Sequence, residues 1–287
     1  MTPSTERPVL HLSGPKLTER FQTLISGSEN DGGIERYVAA VSLKVSLFKE
    51  VLADGKSRDL DIEDFKRLCA FMAPVRRRIS PWLDTVGYKT LQKGISDLLQ
   101  DSTDTTTTDS RIHAFCQLFP EDKKHRWVRD LAAELLHYSD PERYPLMTRW
   151  IWDAKANTGV LREIWHGENV DAMVIDADDN FETFLVLREE LSQFLSDNGV
   201  FRDTLYYSDL LCAQIYADYI CSQGGSFLRT DFSAEEDPMQ YTRRMLGLDG
   251  IKARSAQTRL KDIDGEAFEI EEAKQLDWSE GATHAHS

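Results

Sequence analysis

The sequence predicts an all-α protein, a multi-helix bundle-like fold, and three observations predict it. Apolar residues recur at three- and four-residue spacing through most of the 287 residues. Gly, Pro, Asn, Asp and Ser clusters divide those windows into helix-length pieces. Only one short run, at Met173, Val174 and Ile175, reads as extended. With 41% hydrophobic and 29% charged residues, the chain can bury a sizeable core, as one large helical domain or as two subdomains sharing an interface.

Taken in order, residues 1–14 read as a flexible N-terminus. Ser13-Gly14-Pro15 then opens a helix, with serine as cap and proline in the first turn. Its stripe is Leu17, Phe21, Leu24 and Ile25, and it stops in the breaker-rich stretch 26–33. From Ile34 an apolar face of Tyr37, Val38, Val41, Val45, Phe48, Val51 and Leu52 runs to a stop at Gly55. Asp61 caps a helix with Phe65, Leu68, Cys69 and Met72 inward, which Pro74 kinks or ends. Ser80-Pro81 opens another through Leu83, Val86, Leu91, Ile95, Leu98 and Leu99. Residues 15–100 thus form an N-terminal helical subdomain of antiparallel helices.

Residues 101–110, DSTDTTTTDS, contain no apolar side chain and read as a linker. A C-terminal acidic helical subdomain, 111–250, follows. Its expected pieces are a short helix at 112–118, a longer one at 121–138, a helix started by Tyr144-Pro145 that carries Trp150 and Trp152, and a short helix at 160–166. Long helices at 181–195 and 204–221 come next, and a last turn or two at 238–248. Asp176-Ala-Asp178-Asp-Asn180 has acidic groups at alternate positions, but Phe181 and Leu187 stand where a calcium loop needs glycine and glutamate, so a helix N-cap is the reading. Residues 251–287 read as a mostly disordered acidic tail.

No apolar stretch approaches the roughly 18–20 residues of a membrane span, and the N-terminus lacks a basic region followed by an apolar one. The expected location is cytoplasmic. The cysteines, Cys69, Cys116, Cys212 and Cys221, are widely spaced within apolar patterns and read as buried thiols. A net charge of −15 makes nucleic acid an unlikely partner, since its binding needs a basic footprint. The charge is uneven. Residues 1–100 carry 15 Lys+Arg against 13 Asp+Glu, which leaves the remainder at −17.

Three constellations carry the functional expectations. Tyr144, Arg149, Trp150, Trp152 and Trp165 combine the residue types that dominate protein interfaces, and Trp150 and Trp152 cannot share one helix face. Arg76-Arg77-Arg78 suits a phosphate, an acidic partner or the chain's own acidic tail. Glu134-x-x-His137 and Glu163-x-x-His166 repeat the spacing from which helical bundles build carboxylate-bridged iron or manganese sites, with Glu189, Glu190 or Asp209 as further acids. The preferred expectation is a cytosolic accessory or scaffold protein that binds another protein through the aromatic and arginine surface. The alternative is a metal-dependent oxidase or oxygenase of the non-haem di-iron type, with Glu134, His137, Glu163 and His166 as ligands.

Overall fold

The computed structural model describes residues 7–83, 87–167, 169–223, 239–248 and 260–268, and in them the protein is all-α apart from one small hairpin. Helix α1 (Gly14–Ser28) carries Pro15 in its first turn as expected, but Ser13 contributes no side-chain cap. Its backbone N–H instead donates to the carbonyl of Ile164 at 2.8 Å. Within 7–13, Leu10 is buried and Leu12 is bridged to Trp165, while Val9 is exposed.

Helix α2 (Ile34–Leu52) stops before Asp54 and Gly55, both at positive φ, a conformation that favours glycine and breaks the helical ladder. Asp61 caps α3 (Ile62–Ala70) by accepting from the Asp64 N–H at 2.8 Å. After α3 the chain turns on itself through 73–79, with Val75 and Ile79 fully buried. Helix α4 (Ser80–Trp82) is a single turn. Helix α5 (Tyr88–Leu99) starts after Gly87, which is at positive φ, and residues 84–86 of the continuous helix that the sequence suggested lie outside the described residues.

The stretch 101–110 runs directly into α6 (Thr108–Cys116) through a short 3-10 turn. Thr108 is buried, and Asp109 accepts the Phe181 N–H at 2.9 Å. Arg111 donates to Tyr144 Oη at 2.8 Å and to the Leu98 carbonyl, fastening both ends of the stretch. Its hydroxyls and carboxylates solvate turns and caps, a use of Thr and Asp that composition cannot separate from that of a linker.

Helix α7 (Trp127–Ser139) starts later than 121 because Pro120 and the Asp122 carboxylate, which accepts from the Lys124 N–H, hold a loop there. No helix carries Trp150 and Trp152. Residues 145–152 are loop and turn, since Pro145 has no N–H to give and the Asp130 carboxylate takes the Arg149 N–H at 2.8 Å. After α8 (Val160–Glu163), the segment at Met173, Val174 and Ile175 pairs with no strand. The Asn157 side chain accepts the Ile175 N–H, and Asn157 and Arg162 donate to the Met173 carbonyl.

Helix α9 (Phe181–Asp197) is capped by Asn180, then come α10 (Thr204–Gln223) and α11 (Gln240–Met245). A hairpin of β1 (Leu260–Lys261) and β2 (Ala267–Phe268) lies in what the sequence suggested was tail, and Lys66 on α3 pairs with Asp264 of its turn at 2.7 Å. The rest of 251–287 falls outside the described residues, apart from 262–266 within that hairpin. Buried apolar side chains form one cluster from Leu10 to Leu248, drawing on both sides of 101–110. Helix α7 sits inside it, packed on α2, α5 and α6, while α10 packs on α1, α2, α8, α9 and α11. No helix among the described residues is long and apolar enough to cross a membrane.

Candidate functional site

Because α7 is buried along nearly its whole length, its polar residues need partners inside the protein. Asp130, Glu134 and His137 are spaced four and three apart, so they lie along one stripe. Each meets a charged side chain from a different segment.

Glu134 meets Lys44 of α2. Lys44 Nζ donates to Glu134 Oε2 at 3.1 Å, to the Phe71 carbonyl at 2.7 Å and to the Leu246 carbonyl at 2.8 Å. Three acceptors match the three protons of an ammonium, and the Tyr138 ring lies 3.7 Å beneath it. Burial lowers the Lys44 pKa and raises that of Glu134, and their mutual attraction opposes both shifts. Glu134 Oε1 has no donor among the described residues, so half of that carboxylate is desolvated without compensation. His137 Nδ1 lies 2.8 Å from the Tyr144 carbonyl, and Nε2 lies 3.0 Å from Asp209 Oδ2 of α10. A carbonyl only accepts, so Nδ1 donates to it, and Nε2 is engaged with the Asp209 carboxyl group. No ring nitrogen remains to activate Ser208 or Cys212, which line the small cavity beside it.

Asp130 holds Arg149. Its Oδ1 accepts the Arg149 backbone N–H at 2.8 Å, and Oδ2 accepts Nε at 3.2 Å and Nη2 at 2.6 Å. This fixes the guanidinium at one wall of a groove of about 490 Å³. The 73–79 turn supplies Arg76, Arg77 and Arg78 to the same groove, α10 supplies Tyr216, and α11 supplies Arg244. Trp150 completes it, its ring 5.7 Å from that of Tyr216. Val75 and Ile79 anchor the turn from below, which directs the arginines between and beside them outward; Arg77 and Arg78 are exposed. Helix α11 is set in place by Leu246, whose carbonyl Lys44 holds, by Thr242, which donates to Gln214 at 2.7 Å, and by Arg243, which pairs with Asp31.

The structure therefore brings Arg76, Arg77, Arg78, Arg149 and Trp150 into one groove, although 71 residues separate Arg78 from Arg149. It does not bring in the other aromatic candidates. Tyr144 and Trp152 are fully buried; Tyr144 Oη donates to the Ser102 carbonyl and Trp152 Nε1 to the Ala177 carbonyl. Trp165 packs edge-on against His11. These three are core residues.

The proposed metal centre is also corrected. The spacing does place Glu134 and His137 on one face, but toward Lys44 and Asp209. Among the described residues no three His, Cys, Asp or Glu side chains are grouped to hold a metal ion, so Glu163 and His166 do not join them. His166 is exposed beyond α8, its N–H donating to the His11 carbonyl. Glu189 pairs with Arg7, and Glu190 is exposed. Of the cysteines, Cys69 and Cys212 are buried as expected, whereas Cys221 is exposed and Cys116 is half-buried, its thiol pushed up to about 11 by burial.

Sequence reading missed Lys44, Asp130, Tyr216 and Arg244. For Lys44 the signal was present: it lies seven residues from Tyr37, three from Val41 and four before Phe48, on the apolar face of α2. No protein-family model, curated protein or solved structure matches the chain.

Proposed function

We propose that this chain is a cytosolic accessory or scaffold protein that holds an acidic segment of a protein partner in the arginine groove. One observation carries the reading: five arginines from three separate segments line a single groove beside Trp150 and Tyr216, in a protein of net charge −15. Among the described residues Asp130 is the one acid in that lining, and Arg149 already engages it. A local positive field in an acidic protein attracts carboxylate-rich segments and repels cationic ones. The aromatic pair gives the groove a rigid apolar wall, the combination that anchors protein interfaces.

A fluorescent oligoglutamate peptide titrated against the full chain tests this. Binding should weaken steeply as salt rises, because exposed charges are screened within about 10 Å at 0.1 M. Replacing Arg77 and Arg78 with alanine should weaken it at least about tenfold, since hydrogen bonds to charged groups contribute roughly 1.5–3 kcal/mol each. The melting temperature should hold, as both side chains are exposed. Equal affinity of the variant and the parent protein contradicts the reading.

A further inference from the structure

Resting on that reading, we infer that the group recognised in the groove is a phosphorylated side chain of the partner, in preference to an Asp or Glu carboxylate. Among the described residues the cations lining the groove are all arginines. A guanidinium presents a planar fork of donors that matches phosphate oxygens in pairs, where an ammonium acts as a point charge. Arg149 is set for this before any ligand arrives. Asp130 occupies its Nε and Nη2, while Nη1 has no partner among the described residues. The ordering entropy of that long side chain is therefore already spent.

The side chains of Arg77 and Arg244 make no ion pair or hydrogen bond among the described residues, and both residues are exposed. The groove thus joins one fixed guanidinium to exposed ones from two other segments. A carboxylate offers two oxygens and one charge, enough for one such fork. A phosphate monoester carries about −1.5 to −2 and three acceptor oxygens, which several arginines engage together. Compactness argues the same way. Among the described lining residues, five arginines stand beside one aspartate, gathered around about 490 Å³ of a chain at −15. A nucleic-acid strand spreads its charge along a backbone and needs an extended basic footprint, whereas a single phosphorylated residue concentrates it. Trp150 and Tyr216 then pack the flanking peptide.

The test uses a degenerate peptide library displayed on beads in three forms, with a central phosphoserine, serine or glutamate, and the full chain as the soluble protein. The phosphoserine form should retain the protein at least about tenfold better than the glutamate form, the equivalent of one charge-assisted hydrogen bond. Inorganic phosphate should compete for that retention. Arg149→Lys keeps a cation for Asp130 but loses the fork, and should abolish the preference for phosphate over glutamate. Arg244→Ala, at an exposed position, should lower phosphoserine retention with the melting temperature unchanged, which keeps the result readable if Arg149→Lys folds poorly. Equal retention by phosphoserine and glutamate overturns this inference and leaves the acidic-segment reading standing. Retention by none of the forms overturns both. Stronger retention by a single-stranded oligonucleotide than by any peptide also overturns it.

Discussion

Lys44→Met is expected to destabilise the fold by about 3–5 kcal/mol at neutral pH, the usual cost of leaving one member of a buried ion pair behind. The replaced side chain fits the cavity, so the loss is electrostatic. Glu134 is 3% exposed and takes its donated hydrogen bond from Lys44, and without it neither oxygen has a donor among the described residues. The Phe71 and Leu246 carbonyls lose the Lys44 ammonium as a donor too. The penalty should shrink in acid. Burial already raises the Glu134 pKa, and removing the lysine charge raises it further. Between the ordinary glutamate range and that raised value, the folded variant binds a proton that the unfolded chain does not. Its stability therefore falls as pH rises through the window, and is retained below it. Adding Glu134→Leu should recover much of the loss, because an apolar pair needs no partners. Urea denaturation of parent, single and double variants across pH measures all of this. A loss independent of pH would mean that Lys44 acts through packing alone.

Gly247→Ala is expected to cost about 3 kcal/mol or more and to loosen α11. Gly247 follows α11 at φ +71°, where a Cβ would lie 1.8 Å from the Phe71 carbonyl oxygen. A left-handed conformation alone costs roughly 1–2 kcal/mol for a residue with a Cβ. The overlap is with backbone, so no rotamer change relieves it, and overpacking of a tight interior typically adds about 1–3 kcal/mol. The same Phe71 carbonyl accepts from Lys44, and Leu246 is the residue before Gly247. Any shift that relieves the clash therefore pulls on the Lys44 contacts, moving Arg244 and Met245 at the groove. Denaturation should show the lost stability, and binding of the oligoglutamate probe should weaken as well. Unchanged stability would show that α11 is not held as described.

What the sequence displayed follows from the range of the forces involved. Helices such as α2, α9 and α10 were legible because periodic burial and local caps set them, as with Asp61 and Asn180. The Trp150–Trp152 segment was not, because a carboxylate 19 residues upstream competes for its backbone N–H. The Thr/Asp stretch shows a different limit: its side chains bond locally, and composition reports polarity without saying what the polar groups hold. The two Glu-x-x-His motifs were read correctly as sharing a helix face in the first copy, where Asp209 was among the acids considered. What that face meets depends on α2, and a lysine on an apolar stripe was the overlooked sign. The arginine cluster and Arg149-Trp150 were each visible in the sequence as candidate features. Their meeting in one groove is a product of the tertiary fold, and so are the contributions of Tyr216 and Arg244.

Amide hydrogen exchange of the full chain, with and without saturating oligoglutamate, tests the central claim most directly. Added protection is expected in three separated segments at once, residues 73–79, 149–150 and 243–246, because the groove is assembled from them. Protection confined to other parts of the surface, with these three segments unchanged while the peptide is bound, would contradict it.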